Sequence, residues 1–309
     1  MTFQRKTRIG VAVAVAVAII AAHRAGHRHD RDEAPPAAPA QALTAAAKPA
    51  PPATWKLGSV TLHACELAQP NSGLSAAAWC ASFEVPENRA DPHGRRITLK
   101  LAVVRSQAQA PARDMLALLA GGPGQAATEG WPPLAPALKD LLAHRHVLLL
   151  DQRGTGGSHP LTCQTPAATG EGAAFDPARL REETVACLKE IEATADPRQY
   201  TTTAAVEDLE AVRQALGAPT FDLVGISYGT RVAQQYAMRH PQGVRSIVLD
   251  GVVPNELVLG QDFARNLEDA LEAQFARCNV EAGCKARFGD PYQTLYQLRD
   301  ALRANPHKV

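Results

Sequence analysis

The sequence predicts an α/β fold with a mostly parallel, doubly wound sheet. Residues 115–120 and 147–150 are short, wholly apolar runs, which are typical of strands buried on both faces of a parallel sheet. Segments with helical periodicity alternate with these runs, as in folds that cover such a sheet with helices. A chain of 309 residues can bury a large core, and its net charge of +1 indicates no nucleic-acid partner.

The first 22 residues have the pattern of an export signal. Arg5, Lys6 and Arg8 precede an uncharged apolar run over residues 9–22, which is shorter than the roughly 20 residues that span a membrane. A bulky isoleucine at the third position before the cleavage site makes that site poor, so residues 1–22 are either a signal peptide or an N-terminal anchor. In both cases we expect export to the periplasm or the extracellular space, with no other membrane partner.

Residues 23–54 predict a disordered linker, because Ala and Pro dominate and no apolar face repeats. The linker begins with a polar cluster that contains His23, His27 and His29. A solvated spacer is favoured over a metal site for this cluster. We therefore expect no metal and no cofactor, and a folded part that begins near Trp55.

Six cysteines agree with export into an oxidising compartment. They lack the C-x-x-C spacing of metal and redox sites, and six cysteines allow 15 connectivities. Sequential pairing is favoured because each pair brackets one loop or one helix-sized segment. The expected disulfides are Cys65–Cys80, Cys163–Cys187 and Cys278–Cys284.

Periodicity and turn residues place the secondary structure along the chain. Strands are expected at residues 59–67, 80–85, 95–104, 115–120, 147–150, 221–226 and 244–249, the first three antiparallel. Helices are expected at residues 134–143, 176–192, 201–217, 228–240, 261–277 and 291–304.

A serine stands between two glycines where one predicted strand gives way to a helix. The order Gly225-Ile226-Ser227-Tyr228-Gly229 after an apolar run fits the G-x-S-x-G nucleophile elbow of an α/β hydrolase. The turn is so tight that the flanking positions must be nearly free of side chain, which explains the two glycines. The alternative is a glycine-punctuated turn with a capping serine. The strand before and the helix after favour the elbow, with Ser227 as the nucleophile.

Two loops follow the buried strands. Residues 121–124, GGPG, let backbone N–H groups face a cavity, so Gly122 and Gly124 are candidates for an oxyanion hole. The alternative is an ordinary Gly-Pro turn. The second loop contains Asp151 and Arg153, which we expect to form a charge pair that locks the loop rather than to act in catalysis.

Five motifs in order resemble the exported proline iminopeptidase and tripeptidyl aminopeptidase group of serine peptidases. They are GGPG at 121–124, DQRGTG at 151–156, YTT at 200–202, GISYGTRVAQQY at 225–236 and VLDGVVP at 248–254, and the pair Cys278 and Cys284 resembles the cap of that group. The similarity covers residues 55–309. It implies an α/β-hydrolase fold and an aminopeptidase that acts through an acyl-enzyme on Ser227. The N–H groups of Tyr228 and of the Gly122–Gly124 loop would form the oxyanion hole.

The chain departs from that group in its length and in its acid and base. In the group the catalytic Asp and His follow a helical cap inserted after the strand that corresponds to residues 244–249. Here Asp250 is a candidate acid at a strand end, although the matching aspartate of the group is not its triad member. Only His240 and His307 follow Ser227. The first lies at the far end of the elbow helix and the second beside the C-terminus, so we find no general base.

We therefore expect a C-terminally truncated peptidase that is inactive as this chain alone. Residues 55–254 would form an incomplete hydrolase core that lacks its last strands, and residues 255–309 the start of the helical cap. The expected substrate is a peptide that loses residues or short peptides from its N-terminus. The alternatives are an esterase of the same fold and a catalytically silent product that lacks the triad Asp and His.

Overall fold

The structure, a computed structural model, describes residues 54–163, 176–258 and 260–306. The expected signal segment, most of the expected linker and His307 lie outside the described residues. Thr54 already belongs to the first strand. The folded part of the described chain therefore includes the residue just before Trp55.

One mixed sheet of eight strands runs through the described residues, in the order β1-β2-β3-β4-β6-β5-β7-β8. The strands are β1 (Thr54–Leu57), β2 (Val60–Ala68), β3 (Ser75–Pro86), β4 (Arg96–Val104), β5 (Met115–Leu119), β6 (Val147–Leu150), β7 (Phe221–Ile226) and β8 (Val244–Asp250). Strands β1 to β4 and β6 pair antiparallel in succession, whereas β6, β5, β7 and β8 pair parallel. The α/β-hydrolase fold is confirmed, with the N-terminal strands as its antiparallel half.

Seven α-helices lie within the described residues, and one predicted helix is wrong. They are α1 (Ala127–Leu134), α2 (Pro177–Glu192), α3 (Thr202–Leu216), α4 (Tyr228–Arg239), α5 (Phe263–Val280), α6 (Ala282–Phe288) and α7 (Pro291–Ala304). A helix was expected at residues 134–143, after two prolines, but α1 ends at Leu134 and contains both prolines. The N–H of Thr128 at its start donates to a carboxylate 23 residues further on. A local pattern cannot show a cap of that kind.

Helix α3 and the helix behind Ser227, α4, pack on one face of the sheet. The side chains predicted to face inward on α3 are all 3% exposed or less; they are Val206, Leu209, Val212 and Leu216. Thr201 caps the helix, and Gly217 ends it in the left-handed conformation at φ 69°. Helix α1 and the loop that follows it cover the other face, where Trp131 is buried against Leu149 and its neighbours. The buried strand ends are thereby fixed from both sides.

The three expected disulfides are present in the structure. Cys65–Cys80 joins β2 to β3, Cys163–Cys187 attaches the chain before α2 to that helix, and Cys278–Cys284 joins α5 to α6. No cysteine of the described residues is free. The pairs hold together segments at the surface of the core.

Helices α5 to α7 pack against one another, and much of their apolar surface is exposed, as at Phe263, Leu267 and Leu298. The outer strand β8 is also largely exposed along its length. In the described part of the chain, no helix combines the length and the apolar character needed to cross a membrane.

Candidate active site

Ser227 lies in a strained turn between β7 and α4. Its backbone angles, φ 54° and ψ −120°, fall in a region that residues with side chains rarely occupy. The Ser227 N–H donates to the Asp250 carbonyl at 2.7 Å, and its own carbonyl accepts from the Thr230 N–H at 2.9 Å. These bonds hold the strained residue while its side chain stays exposed at the carboxyl end of the parallel strands. The strand–turn–helix context expected of an elbow is therefore present; the role of Ser227 as nucleophile stays a prediction.

The two glycines of the elbow have no room for side chains. A Cβ on Gly225 would lie 2.5 Å from the Gly229 carbonyl oxygen. A Cβ on Gly229 would overlap the Leu119 carbonyl at the end of β5. The start of α4 can approach the sheet this closely only because both positions are glycine.

The GGPG loop packs directly against Ser227. A Cβ added to Gly121 would lie 3.1 Å from the Ser227 Cβ, and Gly122 and Gly124 adopt φ values of 102° and 115°. Within the described residues, the amides of Gly122, Gly124 and Tyr228 donate no hydrogen bond. Free amides beside a serine are what an oxyanion hole requires, although their role here stays a prediction.

Asp151 fixes the segment that follows this loop. Its buried carboxylate accepts from the N–H and the hydroxyl of Thr128, both at 2.9 Å, and from the Gly157 N–H at 3.1 Å. The first two bonds hold the N-terminal turn of α1, which begins three residues after Gly124. Asp151 therefore keeps the GGPG loop in place between β5 and α1.

The expected charge pair between Asp151 and Arg153 is wrong. Arg153 is buried and binds Asp208 of α3 with two nitrogens, at 2.6 and 2.8 Å. Its remaining donors reach the carbonyls of Pro86, Glu87 and Gln199. The physical reason is that each charged group finds its partners on a different helix, so the two side chains leave the loop in different directions. Each side chain ties its loop to a neighbouring helix, Asp151 to α1 and Arg153 to α3.

A second buried network supports α4 from α3. The Glu210 carboxylate accepts from Tyr236 at 2.6 Å, from Arg213 at 2.7 and 2.8 Å and from Gln214 at 2.7 Å. Burial opposes ionisation of Glu210, but these hydrogen bonds outweigh it and lower its pKa to about 2. Burial and the same carboxylate raise the pKa of Tyr236. Sequence reasoning missed Asp208 and Glu210, although polar residues inside an otherwise apolar helix pattern were a signal for both.

Neither candidate for the acid or the base contacts Ser227 through its side chain. His240 caps the C-terminal end of α4, and its Nε2 lies 3.2 Å from Glu207 Oε1. The 12 residues of that helix separate it from Ser227 by about 18 Å. Asp250 meets Ser227 through its backbone carbonyl alone, and its exposed carboxylate bonds to no histidine of the described residues. No described side chain hydrogen-bonds the Ser227 hydroxyl.

Two cavities flank the GGPG loop, and Gly124 lines both. The larger, of about 700 Å³, lies beside Ile226, the residue before Ser227. The smaller, of about 240 Å³, lies beside Tyr228, the residue after it. Among the described residues, no group of three or more ligating side chains could hold a metal ion.

Comparison with known proteins gives relatives with peptidase names. The chain is 29% identical to the serine protease Hip1 of Mycobacterium tuberculosis over 249 residues, which cover 74% of this chain and 47% of Hip1. It is 26% identical to a tripeptidyl aminopeptidase of Streptomyces coelicolor over 192 residues, which cover 56% of this chain and 35% of that protein. The chain thus spans about half the length, or less, of these relatives.

Among solved structures, the proline iminopeptidase-related protein of Thermus thermophilus is 25% identical to this chain, with a TM-score of 0.33. The match covers 55% of this chain and 44% of that protein. A family model described as the alpha/beta hydrolase fold matches residues 115–309, which include the GGPG loop, β7 and α4. The chain therefore belongs to the alpha/beta hydrolase fold family.

Proposed function

We propose that this protein is a serine hydrolase that acts on peptides and releases residues or short peptides from their N-termini. The observation that carries the proposal is the backbone of Ser227, held at φ 54° and ψ −120° between β7 and α4 and facing the GGPG loop. Backbone strain of this kind persists only where the surrounding structure holds the residue in place, and such residues cluster at active sites. The relatives named serine protease and tripeptidyl aminopeptidase support a peptide substrate.

The proposed chemistry is acyl transfer in two steps. The Ser227 hydroxyl attacks the scissile carbonyl and loses its proton to a general base. The C–N bond then breaks, the base returns the proton to the leaving amine of the shortened peptide, and an acyl-enzyme remains on Ser227. Water hydrolyses the ester bond of the acyl-enzyme and releases the N-terminal fragment as a carboxylic acid. The oxyanion would accept hydrogen bonds from the Tyr228 N–H and from an N–H of the Gly122–Gly124 loop. The N-terminus of α4 adds its positive dipole at the same point. No described histidine hydrogen-bonds the Ser227 hydroxyl, so we assign the role of general base to none of them.

The proposed place of action is outside the cytoplasm. The three disulfides support it, because such bonds persist in oxidising compartments. Whether the protein is periplasmic or extracellular can be measured by fractionating cells and probing each fraction for the protein.

Turnover by the full-length protein tests the proposal. Peptidyl anilides with a free N-terminus, their N-acetylated forms and a p-nitrophenyl ester form the substrate panel. We expect turnover of the free peptidyl anilides and a loss on the order of 10⁶ in kcat for Ser227→Ala. Turnover confined to the ester would favour the esterase alternative. Turnover that survives in Ser227→Ala would refute the elbow as the catalytic centre.

A further inference from the structure

The smaller cavity lies between the GGPG loop and the start of two helices. Pro123 and Gly124 line it from that loop, and Tyr228 lines it from the start of α4. Leu161 and Tyr200, just before α3, form the rest of its apolar wall. Its volume of about 240 Å³ is below the range of about 300–1,000 Å³ that drug-sized ligands occupy, so the cavity has room for about one side chain.

The cavity offers a ligand no free charge. Of the described residues that line it, only Arg153 is charged. Two N–H donors of the Arg153 guanidinium bind Asp208, and both side chains of this ion pair are 1% exposed. The other three donors bind the backbone carbonyls of Pro86, Glu87 and Gln199. The guanidinium therefore has no donor left for a ligand.

The two tyrosine rings of the wall are held by residues that do not line the cavity. The Tyr228 hydroxyl lies 2.7 Å from Thr202 Oγ1, and the Tyr200 hydroxyl donates to Glu87 Oε1 at 3.2 Å. Tyr200 also packs on Gly154, where an added Cβ would lie 2.9 Å from the Cδ1 of the ring. Burial and the nearby Glu87 raise the pKa of Tyr200, so its hydroxyl stays neutral. The wall is thus preformed and uncharged.

The Gln152 side chain supplies a polar group that is free to bind a ligand. It lines the cavity, and its amide forms no hydrogen bond within the described residues. An amide can both donate and accept, so it can pair with the N–H or the C=O of a peptide backbone. A small apolar space with one neutral amide suits an uncharged side chain together with its peptide group.

The position of the cavity connects it to the serine. Gly124 and Tyr228 line it, and they belong to the two segments that flank Ser227. A carbonyl attacked by Ser227 carries an acyl part on one side and the leaving nitrogen on the other. The larger cavity, of about 700 Å³, has room for an acyl part of more than one residue. The leaving peptide needs a site only for its first residue, because the rest of it can extend into solvent.

We propose that the smaller cavity binds the side chain of the residue whose nitrogen leaves, and that it selects an uncharged side chain there. This assignment rests on the proposed function, since it concerns the peptide bond that Ser227 would cleave. A charged side chain would lose water in the cavity and find no free counter-charge, which disfavours its binding. The residue after the scissile bond would then help to determine which peptides are cleaved.

Equilibrium binding to the full-length Ser227→Ala protein tests the proposal without requiring turnover. Leucine amide, lysine amide and glutamate α-amide represent the first residue of the leaving peptide, and each is titrated by NMR. All three carry the same free amine, so differences between them report on the side chain. We expect leucine amide to bind about 10-fold more tightly than either charged amide.

A variant of the cavity wall locates the binding site. Leu161→Ala, made in the same Ser227→Ala protein, should weaken the binding of leucine amide by about 10-fold, because it removes apolar contact with the ligand. The matched control is Leu180→Ala on α2, at a residue that is 50% exposed and lies outside the cavity, and it should leave binding unchanged. N-acetyl-leucine represents the acyl product, and its binding should not change in either variant.

The outcomes separate this proposal from the proposed function. Equal binding of the three amides, tighter binding of a charged amide, or no binding of leucine amide would overturn the selection of an uncharged side chain. Binding of leucine amide that is unchanged in Leu161→Ala would overturn the assignment to this cavity. An equal loss of affinity for N-acetyl-leucine in Leu161→Ala would overturn the assignment to the leaving residue. None of these results depends on turnover, which the substrate panel with Ser227→Ala measures separately.

Discussion

Replacing Glu210 by glutamine should destabilise the packing of α4 by an amount that depends on pH. Glu210 joins α3 to Tyr236 on the helix that carries Ser227 at its start, and its side chain is only 12% exposed. In the folded protein its pKa is about 2, compared with an ordinary value of 4.5. Each pKa unit corresponds to 1.36 kcal/mol, so the charged form contributes about 3 kcal/mol at pH 7.

The sign follows from the direction of the shift. Because folding lowers the pKa, the stabilisation is fully present above the unfolded value and is lost as the pH falls from about 4.5 to about 2. Linkage leaves less than half of this contribution at pH 3, because that pH lies between the two pKa values. The difference in free energy of unfolding between wild type and Glu210→Gln should therefore fall by more than half between pH 7 and pH 3.

Urea unfolding, monitored by tryptophan fluorescence at several pH values from 7 to 3, measures the difference in free energy of unfolding between wild type and Glu210→Gln. Glu207→Gln is the matched control, because Glu207 lies on the same helix and is more exposed, with one contact to His240. We expect the control to change stability by less than about 1 kcal/mol. A Glu210→Gln difference below about 1 kcal/mol at pH 7, or one that does not change with pH, would refute the account of this network.

Two further predictions concern the elbow and the disulfides. Gly229→Ala should destabilise the protein by about 2–4 kcal/mol, because its Cβ would overlap the Leu119 carbonyl. The control Gly283→Ala, in helix α6 where a Cβ meets no other atom, should be neutral or stabilising by up to about 1 kcal/mol. Urea unfolding midpoints measure both changes, and equal effects would contradict the packing argument. Removing the Cys65–Cys80 disulfide, with a sequence separation of 15, should lower the free energy of unfolding by about 3 kcal/mol. Removing Cys278–Cys284, with a separation of 6, should lower it by about 2 kcal/mol. Thermal unfolding measures both losses, and the reverse order would contradict the dependence on loop length.

The parts that could be predicted from the sequence are those governed by local pattern. The wholly apolar run that became β5, the inward face of α3 and the glycines around Ser227 each leave a signal within a few residues. Sequential disulfide pairing also followed from short spacing. These features were enough to predict the α/β-hydrolase fold and to place Ser227 at the end of a strand.

The parts that were missed depend on distant partners. Asp151 caps helix α1 by accepting from Thr128, 23 residues earlier, and Arg153 pairs with a carboxylate 55 residues away. Strand β1 exists because it pairs with β2, and its four residues carry little pattern of their own. In each case the stabilising contact forms only after the chain has folded, so the local sequence does not reveal it.

Labelling of the full-length protein with a serine-directed fluorophosphonate tests directly whether Ser227 is the nucleophile. We expect one adduct, on the peptide that contains Ser227, because the elbow exposes that hydroxyl beside free amides. Peptide mass mapping should find the adduct in the wild type and in Ser59→Ala, a change at a remote exposed serine, and should find none in Ser227→Ala. An adduct on a different residue, labelling that persists in Ser227→Ala, or no labelling of the wild type would contradict the claim that Ser227 is the nucleophile.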